Sequence, residues 1–305
     1  MNSWIRNMGL AAFIFLFILG FLSSGYSSDT EEKVAIVCFL EGKTWFTEPG
    51  ERERNELNLF DWMEVGAVIQ TELGAKVVIA FSTGERYELR GKTKTTVGAK
   101  GFTSSTGSVE ILTPVPVMPR IAAISQEARP GSRLGGIRLR SIWQKGQKGP
   151  ISRFYPSEGA ALLAEEAVLT FEPIDGVKKY KVEIKDESGN KIFSVETAST
   201  KIATYPSVFK PGAKYSWKVW ILEKGERSLL SEAVFSTVSE ENTRARNDFK
   251  GQAYQSKDGV RLLLLAQMDM ALGLRKEACK TLRDTLALFP DNAEIKNAIF
   301  QIGCK

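Results

Sequence analysis

Alternating apolar and polar positions recur along most of the chain between residues 34 and 238, and they predict β-strands. Within the stretch 65–97, five alternate apolar residues flank a Thr83-Gly84 turn: Val77, Ile79, Phe81, Tyr87 and Leu89. Apolar residues at every second position on both sides of such a turn are typical of a β-hairpin. We therefore predict two paired strands here.

The residues around this hairpin predict one all-β unit from 34 to 112. The apolar run 34–40 predicts a strand, and Glu41-Gly42 predicts a turn into a partner strand at 43–47. Residues 108–112 predict the strand that closes the unit. Three aromatic residues fit either the core of this unit or an exposed ligand platform: Trp45, Phe60 and Trp62.

Further short runs between residues 154 and 238 show the same alternation: 167–171, 180–184, 192–195, 215–221 and 234–238. Turn residues separate several of these runs, at 173–176, 186–189 and 210–212. Five or more short strands at this spacing predict an antiparallel β-sandwich. The side chain of Trp220 would point outward from it, which makes Trp220 a candidate partner-binding residue.

Beyond residue 239 the apolar period changes from two residues to about 3.6, which predicts α-helices. Four apolar faces follow one another, at 245–253, 262–272, 278–289 and 295–302. Gly273 should end the second helix and Pro290 the third, and Asp291 with Glu294 has the spacing of a capping box that opens the fourth. The predicted fold class is multidomain and mainly β, with a helical segment at 240–305.

The first 25 residues have the composition of a secretory signal peptide. Arg6 precedes an apolar run at 8–22, and Ser23, Ser24 and Gly25 supply the small residues of a cleavage site. We expect cleavage near Gly25 and a mature protein in the periplasm or cell envelope. The alternative is an uncleaved membrane anchor, although the run is shorter than the ~20 apolar residues that span a bilayer.

Residues suited to catalysis are scarce. The 305 residues include no histidine, so the commonest general base and the commonest metal ligand are both missing. The sequence contains no Gly-rich phosphate-binding loop and no carboxylate pair placed by a motif. We expect no enzyme activity, no cofactor and no metal site.

Residues 113–153 are rich in proline and glycine and show little alternation, which predicts a linker. Between residues 115 and 153, eight basic residues stand against one acid, Glu127. Seven of them form a candidate polyanion-binding set: Arg120, Arg129, Arg133, Arg138, Arg140, Lys145 and Lys148. A flexible positive segment can dock on an anionic cell-wall or lipid surface, or its charge can simply keep it soluble and extended.

Three stretches resemble known families. Residues 65–97 resemble the FecR-like extracytoplasmic domain in their order of apolar-Gly, Gln-Thr, Gly-Ala-Lys, Phe-Ser-Thr-Gly-Glu and a Thr-rich exit. Residues 154–238 resemble a fibronectin type III-like domain, through the strand entries at 176–180 and 209–217. Residues 259–292 resemble one tetratricopeptide repeat, with Asp269 where that family usually has an aromatic residue.

These resemblances imply binding domains rather than an enzyme. The FecR-like resemblance implies an extracytoplasmic β domain at 34–112, without the family's signalling role, because about seven residues before the apolar run are too few to hold a sigma factor. The tetratricopeptide resemblance implies a surface for a peptide or protein, on which Asp269 is a candidate contact, because such repeats bury a core only by stacking.

The chain has three cysteines. Cys38 lies in an apolar strand and is expected to be a small core residue. Cys279 lies early in the third helix and Cys304 just after the fourth, and an antiparallel helix pair turning at Pro290 brings these two ends to the same level. In an oxidising compartment they are candidate disulfide partners, and the alternative is two free thiols.

Together these expectations favour an exported, non-enzymatic envelope scaffold or adaptor that binds an envelope protein or peptide through its helical repeat and β-modules. The alternative is a cell-wall glycan or polyanion-binding protein that acts through the basic linker and the FecR-like domain. Ionic strength separates the two functions, because polyanion binding weakens steeply with salt. We expect no nucleic-acid partner in either case.

Overall fold

The computed structural model describes residues 33–116, 118–127, 154–166, 168–223, 226–256 and 258–304. The predicted signal peptide, residues 1–25, lies outside them. The first strands are β1 (Lys33–Glu41), β2 (Thr44–Thr47), β3 (Asn55–Glu56), β4 (Trp62–Glu64), β5 (Val68–Thr71), β6 (Lys76–Phe81), β7 (Arg86–Val97) and β8 (Phe102–Leu112). The later strands are β9 (Phe154–Tyr155), β10 (Ala160–Leu162), β11 (Val168–Phe171), β12 (Tyr180–Asp186), β13 (Lys191–Thr197), β14 (Lys201–Ala203), β15 (Lys214–Glu223) and β16 (Glu226–Thr237). The helices are α1 (Met118–Glu127), α2 (Glu240–Ser256), α3 (Gly259–Ala271), α4 (Arg275–Leu288) and α5 (Ala293–Gln301).

The first eight strands form one sheet in the order β3-β2-β5-β7-β6-β1-β4, with β8 paired to β7. On one side β7 pairs with β6 through residues 86–90 and with β5 through residues 94–96. On its other side β7 pairs with β8. The hairpin predicted at Thr83-Gly84 is confirmed as the β6–β7 pair.

β1 is buried on both faces of this sheet. Val37 belongs to a core enclosed by the sheet, whereas Cys38 belongs to a second core shared with the helices. A strand covered on both faces is apolar at nearly every position, which explains the unbroken run 34–40. The predicted pairing of 34–40 with 43–47 is wrong, because β4 and β6 occupy the edges of β1, and β2 pairs with β3 and β5.

The predicted linker at 113–153 is wrong where α1 forms. Met118 and Ile121 lie one turn apart, and both are buried in the core that the helices share with the first sheet. Pro119 is tolerated because the N–H groups in the first turn of a helix have no partner within the helix. Proline near the helix start is therefore compatible with α1. The rest of the predicted linker, 128–153, lies outside the described residues.

Strands β9 to β16 form a β-sandwich from a five-stranded sheet, β10-β16-β15-β12-β13, and a three-stranded sheet, β14-β11-β9. In its core the Trp217 ring stacks on Phe154 at 3.8 Å between centroids and donates to the Pro156 carbonyl at 2.9 Å. The Tyr215 hydroxyl accepts from the Lys210 N–H at 2.7 Å, which ties the start of β15 to the preceding turn. The predicted fold class, mainly β with C-terminal helices, is confirmed.

Helices α3 and α5 pack on β1 of the first sheet, and α2 and α4 pack against these helices. The Asn292 side chain donates from Nδ2 to the Leu40 carbonyl of β1 at 3.0 Å. Asp258 caps α3 by accepting from the Val260 N–H at 2.9 Å, and it also forms an ion pair with Arg86 of β7 at 3.1 Å. The predicted helical domain therefore shares a core with the predicted first β domain.

The ends of the helices follow the predicted signals with one shift. Gly273, with a φ of 78°, follows α3 in the left-handed conformation, and α4 ends before Pro290. The predicted capping box at Asp291 is one residue early. Asn292 is the N-cap of α5, and its side chain accepts from the Ile295 N–H at 2.9 Å.

Gly259 is a position where the packed helices leave no room for a side chain. A Cβ atom there would overlap the ring of Phe289, which packs edge-on against Phe39 of β1 at 5.3 Å between centroids. We expect Gly259→Ala to lower the free energy of unfolding by about 1 to 3 kcal/mol through overpacking. The matched control is Gly251→Ala in α2, where a Cβ meets nothing within 4 Å. It should stabilise the helix by up to about 1 kcal/mol. Denaturant unfolding measures both, and equal effects would contradict the packing argument.

Candidate functional site

Trp220 lies on the face of the five-stranded sheet that points away from the sandwich core. Alternation along β15 sends Trp217 and Val219 into that core and Trp220 outward. A β-bulge in β16 buries Leu230 and places Leu229, which is 52% exposed, directly opposite Trp220. The bulge therefore creates an apolar pair on the solvent side of the sheet.

Charged residues of both signs lie beside this pair. Lys181 of β12 lies opposite Trp220, and the next row across the sheet holds Glu183, Lys218 and Glu232. Lys181 pairs with Glu183 at 3.7 Å, and Lys218 pairs with Glu232 at 2.5 Å. The two ion pairs cancel in charge, so these four residues add no net charge to this face.

Val234 extends the apolar part of this surface. It is 44% exposed and lies opposite Ser216, one row beyond the second ion pair. We name the surface made of Trp220, Leu229, Val234 and the two ion pairs the outer sandwich face. A tryptophan with aliphatic neighbours and a charged rim has the composition of a protein–protein interface.

Asp269 is not available to a partner, and its prediction as a partner-binding residue is wrong. Its side chain is fully buried and accepts from Arg246 through two bonds, Nε to Oδ1 at 2.6 Å and Nη2 to Oδ2 at 3.2 Å. Glu277 lies 3.7 Å from the same guanidinium. Burial raises the pKa of Asp269 to about 6, against the opposing effect of the Arg246 hydrogen bonds and charge.

Of the predicted polyanion-binding set, the structure describes Arg120. Its guanidinium pairs with Glu241 of α2 at 3.0 Å and donates to the Asn242 side chain at 2.5 Å. These contacts join α1 to α2 and neutralise the charge of Arg120 within the protein. The other members of the set lie outside the described residues: Arg129, Arg133, Arg138, Arg140, Lys145 and Lys148.

The three aromatic residues of the first β unit do not form one exposed platform. Phe60 and Trp62 are buried in the core that the sheet shares with the helices. Trp45 is half-buried, and its indole donates to Glu72 at 3.0 Å. The core interpretation therefore holds for Phe60 and Trp62.

Cys279 and Cys304 are joined by a disulfide, with their Cα atoms 5.5 Å apart. The bond links the first half of α4 to the residues just after α5.

Cys38 is a free, buried thiol, and burial raises its pKa to about 12. A thiol with so high a pKa is not a nucleophile at neutral pH.

The remaining buried acid with a raised pKa has a structural role. Asp61 accepts from the Asn58 N–H at 2.7 Å, and burial raises the pKa of its carboxyl to about 6.

Across the described residues, no group of three His, Cys, Asp or Glu side chains is placed to hold a metal ion. None of the described helices is long and apolar enough to span a membrane.

β8 is a surface that the sequence analysis missed. The sequence predicts a closing strand at 108–112, whereas β8 begins at Phe102, and residues 103–108 are all exposed. Among the described strands it pairs with β7 alone, so no described strand pairs with its other edge, which we call the open edge. The run of Ser and Thr at 103–108 lacks alternation because neither face of this stretch is covered, which removed the usual strand signal.

No protein family and no curated protein matches the chain. Among solved structures, it is similar to the FN1–FN3 domains of chicken CNTN1, at 10% identity over 70% of this chain and 59% of that chain, with a TM-score of 0.24. It is also similar to dimeric latent PorU from Porphyromonas gingivalis, at 11% identity over 70% of this chain and 17% of that chain, with a TM-score of 0.20. Likenesses at these TM-scores carry no argument about function. Strands β9 to β16 form the two-sheet β-sandwich that the sequence predicts.

Proposed function

We propose that the protein is an exported, non-enzymatic scaffold or adaptor of the cell envelope, which binds a partner protein through the outer sandwich face. The observation that carries this proposal is the pairing of Trp220 with Leu229 on the solvent side of the sheet. Tryptophan is enriched among the residues that dominate binding energy in protein interfaces. The flanking ion pairs satisfy each other, so a partner can cover them without leaving an unpaired charge.

Export and family resemblance support the same function. The signal-like residues 1–25 are expected to direct the chain out of the cytoplasm, and the FecR-like resemblance of 65–97 fits an extracytoplasmic domain. The tetratricopeptide-like resemblance of 259–292 favours the helices as the binding face. The apolar faces of these helices contribute to a core shared with the first sheet, so we place the partner on the sandwich.

A cell-wall glycan or other polyanion remains the alternative ligand. This function would depend on the basic residues at 129–148, because Arg120 is already paired with Glu241. Binding of that kind weakens steeply as salt is added, whereas contact with an apolar centre does not. Salt dependence therefore separates the two functions.

Photocrosslinking in the native envelope tests the proposal. A photoreactive residue at Ser216, on the outer sandwich face, should give a discrete protein adduct that survives high salt, and the same residue at the exposed Ser188 turn should not. Trp220→Ala should reduce the yield of the adduct at least about tenfold. Tryptophans buried in an interface commonly contribute about 2 kcal/mol or more to the binding free energy.

Two exposed aromatic residues provide the matched controls. Tyr205→Ala, at a residue outside the strands, should leave the adduct unchanged, and so should Phe300→Ala at the end of α5. If Phe300→Ala removes the adduct and Trp220→Ala does not, the partner binds the helical end. Capture of anionic polymer that salt disrupts, with no effect of Trp220→Ala, would support the polyanion function instead.

A further inference from the structure

The open edge of β8 differs from the other edges of the first sheet. The terminal strands β3 and β4 have two and three residues, whereas β8 has eleven. Natural proteins usually protect a long edge with lysine, proline, a β-bulge or a covering element, because unpaired backbone groups invite another strand. The irregularity opposite Gly107 adds residues to β7 and none to β8, since Arg90 pairs with Ser108 and Lys94 pairs with Thr106. The middle of β8, residues 104–110, has neither lysine nor proline, and its single charge is Glu110.

The hydrogen bonds between β7 and β5 show which backbone groups of β8 point toward its open edge. Val97 donates to the Ala67 carbonyl and accepts from the Gly66 N–H, both at 2.8 Å, so the groups of Val97 point toward β5. Alternation then points the groups of Thr96 toward β8, where its partner is Ser104. The next residue of β8, Ser105, therefore presents its N–H and C=O to the open edge.

In the second half of β8, residues 108–112, the even-numbered residues again direct their backbone groups toward β7. The Phe81 N–H bonds to the Glu85 carbonyl at 2.8 Å, so odd-numbered residues at this end of β7 point toward β6 and even-numbered residues point toward β8. Glu88 pairs with Glu110, which therefore directs its backbone groups inward. Val109 directs its groups outward. The edge thus offers backbone groups at residues 105 and 109, on either side of Gly107.

We propose that this edge pairs antiparallel with β8 of a second copy of the chain, around a two-fold axis through Gly107. Outward groups must meet outward groups, and this register places Ser105 opposite Val109 of the other copy. Gly107 has a φ of 100°, a conformation that glycine adopts readily, and a Cβ atom there would lie 2.5 Å from the Lys92 carbonyl oxygen of its own β7. The pairing with the second copy is therefore carried by residues 104–106 and 108–110, on either side of this kink.

The side chains of the segment are compatible with this self-pairing. Thr106 would face Ser108, and Ser104 would face Glu110, so no charge lies opposite a like charge. The two Glu110 carboxylates would be about 20 Å apart, six residues along the paired strands. With one charge in seven residues, the edge carries no charge pattern that would select a strand of another protein.

Charge substitutions at the exposed Ser104 test both the pairing and its register. Ser104→Lys would place a lysine opposite Glu110 of the other copy, and Ser104→Glu would place a second carboxylate there. Each contact occurs twice in the dimer because of the two-fold axis. We expect the Glu variant to dissociate at least about tenfold more readily than the Lys variant, because attraction is replaced by repulsion at both contacts.

Sedimentation equilibrium of the purified exported protein over a range of concentrations measures this effect. Wild type should show a concentration-dependent dimer, strengthened by Ser104→Lys and weakened by Ser104→Glu. Both substitutions remove the same hydroxyl contact with Thr96, so that loss cancels in the comparison. A protein that stays monomeric, or a dimer that responds equally to both variants, would overturn the proposal. So would a monomer whose β8 binds a strand of another protein.

Discussion

Replacing Arg246 with methionine should lower the free energy of unfolding by about 3 to 5 kcal/mol. The side chains of Arg246 and Asp269 are 1% and 0% exposed, and two hydrogen bonds join them. Methionine fills part of the arginine volume but leaves the Asp269 carboxylate buried without its cation. Leaving a buried charge without its partner lowers stability by more than the intact ion pair adds to it. We therefore expect this substitution to have the largest single-residue effect in the helical part of the protein.

The pH dependence of the variant's unfolding free energy shows whether the buried Asp269 charge causes the loss of stability. Without Arg246, burial should raise the folded-state pKa of Asp269 further above its ordinary value of 3.8. The folded protein then binds a proton that the unfolded chain does not, so the stability of the variant rises as pH falls through the folded-state pKa. The loss relative to wild type should therefore be largest near pH 7 and smaller near pH 5.

Arg244→Met is the matched control for this experiment. Arg244 lies on the same helix and pairs with Glu240, but both side chains are more than 70% exposed. Removing such a surface pair changes stability by about 0.5 kcal/mol or less. Urea unfolding of both variants at the two pH values provides the comparison. Equal losses in the two variants, or a loss in Arg246→Met that ignores pH, would show that the buried charge is not the cause.

The partner of Asp269 could not be predicted from the sequence. Its place on α3 and the end of that helix at Gly273 follow from the 3.6-residue period and from the backbone freedom of glycine. Its partner Arg246 lies 23 residues earlier, on another helix. Local spacing does not show which polar residues meet across a helix pair. An acid at an apolar position of the pattern therefore predicts a surface contact, although burial with an arginine is the other way to satisfy it.

The relation of the helices to the first sheet could not be read from periodicity either. An apolar stripe on a helix indicates that it is covered, but the stripe does not name the covering element. The one usable signal was the apolar run 34–40, whose lack of alternation indicates a strand with two covered faces. Combined with the stripes beyond residue 239, that run would have predicted helices on the outer face of the sheet.

The outer sandwich face was partly predictable. Alternation along β15 predicts that Trp220 points outward, and the structure places it there. Its neighbour Leu229 depends on the bulge at Leu230, because without that extra residue Leu230 would lie opposite Trp220. Register and bulges depend on pairing between strands, so a single strand's sequence does not determine the surface that several strands build together.

Removing the disulfide with the double substitution Cys279→Ala and Cys304→Ala should lower the free energy of unfolding by about 3 kcal/mol. The bond closes a loop with a sequence separation of 25 residues, and losing it frees that loop in the unfolded chain. The beginning of α5 keeps its contacts, because Asn292 still bonds to the Leu40 carbonyl and Ile295 remains in the core. Faster amide exchange should therefore appear first at residues 296–302.

Thiol alkylation and reductant complete this test. Unfolded without reductant, the exported protein should react at one cysteine, the buried Cys38, and after reduction it should react at all three cysteines of the chain. Reductant should destabilise wild type to the level of the double variant and leave the double variant unchanged, which separates loss of the bond from any effect of the alanines. Three reactive thiols before reduction would reject the disulfide. A double variant as stable as wild type would show instead that packing alone holds α5 against α4.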